Sequence, residues 1–315
     1  MRKILFLIAA LILCSCEETV KIDYDGVETL LQMNSFLDSA DSLHLVHLGW
    51  SKPGSYEMIK KNEEVHLSMF VNDVMTSSVD TMGCEKGIYL KGRFSAGDVV
   101  KLKASVGQAS VEAETTAPFA SSINHVDTTV ADIRRYFTVD VQDRPGEKNY
   151  YRISIRKSWQ CLIAVLYMEC SKKVGDSMGE GYKIMEVDGK DDPIICANND
   201  LFGDYSGTQE IIFSDDSFRD SHRGFILSTE DNYKPNPRSG SSEYRIDINT
   251  DIIVRLHTLS PEAFRYLDDY RFEDSDNSFF MAFPTAYPDN VKGGIGFVSA
   301  TTSSDYVIHM PTRYY

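Results

Sequence analysis

The chain has 315 residues, and its 47 acidic against 32 basic side chains give a formal net charge of −15. This length allows either two ordinary domains or one large domain. A surface this acidic repels nucleic acid and anionic lipid headgroups, so we expect no nucleic-acid partner and interpret the acidity as a solubility feature.

The first element along the chain is a short apolar run. Arg2 and Lys3 precede the apolar residues 4–13. Ten residues of helix rise about 15 Å, roughly half of a hydrocarbon core, so the run is too short to cross a membrane. It is typical of the core of a signal peptide.

The apolar run ends in Leu13, Cys14, Ser15 and Cys16. A leucine three residues before a cysteine, with a small residue directly before it, resembles the lipobox of bacterial lipoproteins. The resemblance implies that residues 1–15 are removed, Cys14 with them, and that the Cys16 sulfur carries a diacylglycerol. Acyl chains such as palmitate contribute about 0.8 kcal/mol per buried methylene, so two or three of them anchor a protein stably. A secretory signal cut elsewhere is the alternative.

Two acidic residues, Glu17 and Glu18, follow the position of lipidation. Acidic residues at this place resemble the surface-export signal of Bacteroidetes lipoproteins. The resemblance implies a lipid anchor in the outer membrane with the body on the cell-surface side. Residues 16–30 are then a lipidated tether.

Residues 31–118 are predicted to form an N-terminal immunoglobulin-like β-sandwich. Apolar and polar residues alternate with a period of two, which is typical of half-buried strands. Turn residues separate these segments, and their short, regular spacing favours a sandwich over βαβ units. The predicted strands cover 43–50, 64–71, 87–94, 99–106 and 110–116.

Residues 119–315 are predicted to form a C-terminal β-rich domain, because the small and polar segment 115–129 is typical of a boundary. Residues 171–207 are rich in acids, Gly and Asn and are predicted to be a loop, and 293–310 to be a turn with closing strands. The other predicted strands cover 136–143, 149–156, 163–170, 209–215, 223–228, 243–248 and 251–259.

One short amphipathic helix is expected near the C-terminus. Ser260 can cap it, Pro261 suits its first position and Glu262 favours the positive end of the helix dipole. Apolar side chains then recur at helical spacing over 263–270. The predicted fold is therefore all-β, with two β-sandwich-like domains and one short helix.

Three cysteines are candidates for a disulfide bridge. Cys161, Cys170 and Cys196 fall in one region, where a disulfide is allowed outside the cytoplasm and buried free thiols are the alternative. Their spacing does not resemble a zinc site.

The segment 186–193 contains Asp188, Asp191 and Asp192 close together. Calcium takes six to eight oxygen ligands, often from such loops, so calcium is a possible cofactor here. A solvated acidic loop is the simpler interpretation.

We expect no catalytic activity, because neither Gly-x-Ser-x-Gly nor His-Glu-x-x-His occurs in the chain. A surface hydrolase that uses an acidic pair is an alternative, since two carboxylates on a β-scaffold can act as a glycosidase pair.

Four further segments follow the lipobox in a fixed order: DRPGEKNYYRISI (143–155), IIFSDDSFRD (211–220), IIVRLHTLSPEAFRYLDDY (252–270) and DNVKGGIGFVSA (289–300). Together they resemble a Bacteroidetes family of outer-membrane lipoproteins that carries a domain of unknown function and is often encoded beside TonB-dependent receptors. The resemblance implies an all-β protein with an accessory role in TonB-linked uptake. It brings no catalytic residues.

The sequence therefore predicts an outer-membrane lipoprotein that acts as a non-enzymatic accessory or ligand-binding component of TonB-dependent nutrient uptake. Its partners would be the membrane, a TonB-dependent receptor, and a small-molecule, peptide or glycan ligand. A structural subunit such as a fimbrillin-like adhesin is a further alternative.

Overall fold

A computed structural model describes residues 28–52, 55–83, 86–131, 133–167, 172–197, 210–230, 241–273, 288–311 and 313–314. Within these ranges no helix is both long and apolar enough to cross a bilayer. The predicted lipobox and export residues (Leu13, Cys14, Ser15, Cys16, Glu17 and Glu18) and Cys170 lie outside the described residues, so the roles predicted for them stay predictions.

Strands dominate the described chain, which confirms the predicted all-β class. The alternation that predicted them recurs in the burial pattern, as in the fourth strand, where Val65, Leu67 and Met69 are buried. The first eight strands are β1 (Leu30–Asp38), β2 (Leu43–Lys52), β3 (Ser55–Met58), β4 (Glu64–Val71), β5 (Val74–Met82), β6 (Ile88–Lys91), β7 (Val99–Val106) and β8 (Ala109–Thr116).

The rest of the described chain adds ten strands and two helices. In chain order they are β9 (Ser122–Ala131), β10 (Arg134–Gln142), β11 (Tyr150–Tyr167), β12 (Lys172–Ile184), α1 (Pro193–Ala197), β13 (Glu210–Ser214), β14 (His222–Glu230), β15 (Ser241–Leu259), α2 (Pro261–Glu273), β16 (Val291–Lys292), β17 (Val298–Met310) and β18 (Arg313–Tyr314).

The described strands form one large sheet and two smaller ones. The large sheet has ten strands and runs β12-β11-β15-β17-β1-β2-β3, with β13 also paired to β11, β18 to β15 and β6 to β2. The smaller sheets run β16-β8-β7-β4-β5 and β14-β10-β9. Each smaller sheet packs on part of the large one, which makes two sandwich-like units.

The core of the first unit lies between the five-stranded sheet and the β1–β2 part of the large sheet. Leu31 and Met33 on β1 face Leu67 and Met69 on β4 and Leu102 on β7, and all five are at most 1% exposed. Full burial of such a side chain contributes roughly 1.5–3 kcal/mol.

The core of the second unit lies between the three-stranded sheet and strands β11, β13 and β15. It is rich in aromatic rings, including Phe137, Tyr151, Phe213 and Phe225. The rings of Phe213 and Phe225 lie 4.4 Å apart between centroids, which favours tight packing of β13 against β14.

Strand β17 belongs to both units. Its first residues pair in parallel with β1, and its later residues pair antiparallel with β15. Val298 and Ala300 contact the first core, and Tyr306 and Ile308 contact the second. Because alternate residues of a strand share a face, both smaller sheets lie over the same face of the large sheet.

The chain also returns to the first unit near its end. Val291 on β16 and Val298 on β17 pack in the first core, although both lie in the range 119–315 that was assigned to the second domain. The two units are therefore joined both by the linker after β8 and by a shared, continuous sheet.

The structure corrects several predicted elements. The helix near the C-terminus is confirmed as α2, but a second helix, α1, was not predicted. The prediction of a loop over 171–207 is wrong for 172–184, which form β12. The strands predicted at 149–156 and 163–170 both overlap the single strand β11, which covers 150–167. Strand β12 contains several glycines and polar residues, so its sequence lacks the apolar alternation that marks a half-buried strand. Its pairing with β11 forms the strand.

Candidate functional site

A cleft of about 540 Å³ opens where the two units meet, a volume within the range of roughly 300–1,000 Å³ that is common for ligand sites. It is lined by the end of β8 and the following linker, the β10–β11 loop, the junction of β15 with α2, and the start of β17. The lining residues are 114–119, 144, 147–149, 258–262, 290 and 297–298. Three of the segments that carry the family resemblance therefore meet in this cleft.

A buried carboxylate, Asp143, holds the start of the β10–β11 loop. Its Oδ1 accepts hydrogen bonds from the Tyr151 hydroxyl and from Asn149 Nδ2 (3.1 Å), and its Oδ2 accepts one from the Asp220 N–H (2.7 Å). Burial of the phenol and its bond to Asp143 raise the pKa of Tyr151, whose hydroxyl also lies 3.0 Å from Ser121 Oγ. Each oxygen of this buried charge has a donor, as burial requires.

The rest of the loop is fixed by Asn149. Its side-chain amide donates to the carbonyl oxygens of Arg144 (2.7 Å) and Glu147 (3.0 Å), and its backbone N–H donates to Asp215 Oδ2 (2.9 Å). Gly146 sits at φ 97°, a backbone conformation that side chains rarely tolerate. The Pro-Gly-Glu-x-Asn motif therefore specifies one turn conformation.

The glycine segment at 293–296 runs against β1. The Ile295 N–H donates to Leu31 O (3.1 Å), and the Met33 N–H donates to Ile295 O (3.0 Å). A Cβ on Gly294 would lie 2.1 Å from Leu31 O, and one on Gly296 would lie 2.2 Å from Met33 O. Only glycine permits this approach, which carries the chain to the cleft wall.

Another wall of the cleft is formed by the start of α2. The Ser260 hydroxyl accepts a hydrogen bond (3.1 Å) from the N–H three residues on, which confirms the predicted N-cap. The rings of Tyr150 and Phe264 lie 4.7 Å apart, and those of Tyr266 and Phe297 stack at 4.8 Å with 7° between their planes. These contacts attach the helix to both β11 and the start of β17.

The β10–β11 loop also presents two cations to the cleft. Arg144 Nη1 lies 2.7 Å from Glu147 Oε1, and its guanidinium stands 4.2 Å from the centre of the Phe119 ring. Lys148 Nζ lies 2.7 Å from Asp216 Oδ2, and this bond raises the pKa of Lys148. Both side chains are partly exposed, so they can reach a ligand.

A second polar cluster lies on the large sheet, centred on Asp38. Its Oδ1 accepts hydrogen bonds from the Ala40 N–H (3.0 Å) and the Ser303 hydroxyl (2.8 Å), and its Oδ2 lies 3.0 Å from His257 Nδ1 and 3.6 Å from Arg255 Nη1. Burial by itself raises the pKa of Asp38, but the hydrogen bond and charge of His257 hold the pKa well below its usual range. The cluster joins β1, β15 and β17.

Ser154 extends this cluster, since its Oγ lies 3.3 Å from His257 Nε2. The contacts from Ser154 to His257 and from His257 to Asp38 match the arrangement of side chains in a nucleophilic triad. Strand β11 is paired at Ser154 with both β13 and β15, however, so the surrounding N–H groups are committed to the sheet and supply no oxyanion hole. With His257 only 5% exposed, we interpret the cluster as a structural link.

Two of the three aspartates predicted as calcium ligands, Asp188 and Asp192, accept hydrogen bonds from protein donors. Asp188 Oδ2 accepts a hydrogen bond from Arg134 Nη1 (2.7 Å). Asp192 is buried, where it accepts bonds from the first turn of α1 and from the Ile226 N–H (3.1 Å), whereas Asp191 is exposed. Among the described residues no group of three or more His, Cys, Asp or Glu could hold a metal. Calcium binding stays a prediction.

The described backbone places Cys161 in β11 and Cys196 in α1. In the sheet Cys161 is in register with Asp247 and Gly179. A disulfide among the predicted cysteines stays a prediction.

The sequence did not single out the buried cluster on the large sheet, and it did not assign roles to the residues of the cleft loop. Asp38 and His257 are far apart in the chain, and nothing local marks them as partners. Asp143 and Arg144 lie in the DRPGEKNYY motif, which the sequence did identify, but the motif could not show that one of them is buried and the other faces a cleft.

The fold and the cleft define an all-β protein with two sandwich-like units on one shared sheet and a charged cleft between them. The model of a family described as a domain of unknown function (DUF4249) matches residues 17–306, and the chain belongs to this family. This confirms the part of the resemblance that concerns a domain of unknown function.

No curated protein matches the chain. Among solved structures, a two-domain fibronectin type-III segment from chicken tenascin is similar at 6% sequence identity, covering 73% of this chain and 91% of that segment, with a TM-score of 0.22.

Proposed function

We propose that the protein is a lipid-anchored outer-membrane protein of a Bacteroidetes cell, exposed at the cell surface. It serves there as a non-enzymatic binding component of TonB-dependent nutrient uptake, and the cleft between the two units is its binding site. The observation that carries the proposal is that three of the segments that carry the family resemblance (143–155, 252–270 and 289–300) meet in one charged cleft. Structural packing alone would not require two partly exposed cations, Arg144 and Lys148, on a fixed loop at this place.

The anchor in this proposal is Cys16. Lipid attached to its sulfur would hold the body at the membrane, since two or three acyl chains bind a bilayer stably. Cys14 offers a matched control, because it would leave with the signal peptide.

Membrane fractionation and mass spectrometry test the anchor. Cys16→Ala should move the protein out of the outer-membrane fraction, and Cys14→Ala should leave its distribution unchanged. The native N-terminus should be an acylated Cys16. An unmodified N-terminus, or the same distribution for both variants, would overturn the anchor. Replacing Glu17 and Glu18 with Gln should protect the body from protease added to intact cells.

Co-purification tests the link to uptake. The protein extracted in mild detergent should retain a TonB-dependent receptor, which we expect to be encoded beside its gene, and deletion of its gene should slow uptake of that receptor's nutrient. If neither effect is found, the proposed role is wrong. Recovery of the protein in filaments would instead support the adhesin alternative.

A further inference from the structure

Charges of both signs line the cleft. The two cations, Arg144 and Lys148, come from the β10–β11 loop together with Glu147, the partner of Arg144. Two further acids come from other segments, Glu114 from β8 and Glu262 from the first turn of α2, and Glu114 also pairs with Lys101 (2.8 Å). A ligand that pairs both with the cations of the loop and with the acids of β8 and α2 must itself carry both charges.

The β10–β11 loop, which carries both cations, is held in one conformation by the protein itself. Asn149 is 6% exposed and its side-chain amide donates to backbone carbonyl oxygens of the loop, while Asp143 and Asp215 accept bonds from Asn149 itself. A charge carried on an ordered loop loses less entropy when it binds, so these cations are suited to recognition.

Arg144 keeps binding capacity despite its partner. A guanidinium has five N–H donors, and the ion pair with Glu147 engages Nη1. The pair is half exposed, so it contributes little stability by itself and can be rearranged around an incoming carboxylate.

The aromatic lining does not favour a sugar. Phe119 is 51% exposed, but the Arg144 guanidinium covers one ring face at 4.2 Å, and the ring edge approaches Gly97. Phe297, the other ring that lines the described cleft, is 2% exposed and stacks on Tyr266. Stacking on an aromatic ring requires an open face, which these contacts restrict.

We propose that the cleft binds short peptides with free termini. The peptide α-carboxylate pairs with Arg144 and Lys148, and the α-ammonium pairs with Glu114 and Glu262. This inference rests on the proposed role of the cleft as a binding site, and it names the class of ligand.

Saturation-transfer NMR on the full chain tests the inference with defined probes. The first is an equimolar pool of synthetic tetrapeptides with free termini, the second is the same pool acetylated and amidated, and the third is maltotetraose. We expect transfer to the free peptides at concentrations up to about 1 mM, and at least about tenfold weaker binding once both termini are blocked.

Two charge-removing variants locate the site, each with a matched control on the surface outside the cleft. Arg144→Gln and Glu262→Gln should each weaken binding of the free pool by about tenfold, because each removes one charge-assisted contact. The exposed residues Arg93 and Glu64 provide the controls: Arg93→Gln and Glu64→Gln should leave binding unchanged.

Three outcomes would overturn the inference: no transfer to the free peptides, equal binding of the blocked pool, or binding of maltotetraose in place of peptides. If any of these occurs while the receptor still co-purifies, the proposed function stands and only the ligand class is wrong. If the receptor is also lost, both fail.

Discussion

Replacement of Asp38 by Asn tests the contact that joins the two units through the large sheet. Asparagine keeps an oxygen that can accept from the Ala40 N–H and the Ser303 hydroxyl. It presents an NH₂ group to His257 Nδ1, however, and removes the negative charge beside Arg255. The imidazole must then change tautomer or lose its contact with residue 38, and Arg255, which is largely buried, loses one of its counter-charges.

The expected loss of stability follows from these contacts. A hydrogen bond to a charged group contributes about 1.5–3 kcal/mol, and loss of one partner of a buried ion pair costs about 3–5 kcal/mol. Because the variant retains two of the hydrogen bonds to Asp38, we expect a loss of about 3 kcal/mol. With an unfolding entropy of about 2.1 cal/mol/K per residue over about 300 residues, the midpoint of thermal unfolding should fall by roughly 5 °C.

The loss should depend on pH with a definite sign. The folded pKa of Asp38 is lowered, so its ionised form stabilises the protein above the unfolded pKa of about 3.9. This stabilisation disappears as the pH falls from there toward the folded pKa. The difference between wild type and Asp38→Asn should therefore shrink as the pH falls below about pH 4.

Urea denaturation followed by tryptophan fluorescence measures this difference. Trp50 packs against the first core and Trp159 lies on β11, so Trp50→Phe and Trp159→Phe backgrounds report the two units separately. The control is Asp41→Asn, whose half-exposed carboxylate lies 3.6 Å from the same arginine and should contribute less than about 1 kcal/mol. If both aspartate variants unfold at the same urea concentration, the reasoning about the buried cluster is refuted.

Three further substitutions test the cleft walls by the same denaturation assay. Gly296→Ala should lower the free energy of unfolding by about 3 kcal/mol or more, because it adds strain at φ 127° to a steric clash with β1. The control, Gly107→Ala, has φ 59° and nothing near its Cβ, so it should cost only about 1 kcal/mol. Equal losses for the two variants would contradict the argument from close approach. Tyr151→Phe should cost about 1–3 kcal/mol, because it leaves a buried carboxylate one donor short, and an unchanged urea midpoint would show that the bond contributes nothing. Ser260→Ala should cost about 1 kcal/mol through loss of the N-cap, and Ser260→Asn should restore most of it.

Strands with strict alternation and flanking turns were predictable from the sequence. Strands β4 and β7 have the bounds that alternation predicts, because each buries one face and turn residues end it. The capped helix α2 was predictable for a similar reason, since its cap and its apolar spacing are both local. Strand β12 was not, because backbone pairing with β11 orders it without any apolar pattern.

The candidate site also combines features that the sequence could predict with features that it could not. The DRPGEKNYY, LSPEAF and GGIGF segments stood out in the sequence through the resemblance to a known family, and only the helix start at Ser260 also followed from local residue types. Their meeting in one cleft, the pairing of Asp38 with His257, and the sharing of β17 by two cores depended on the folded chain. The reason is physical: which strands become neighbours is decided by long-range burial and sheet register, and those energies are properties of the whole packing and not of any one segment.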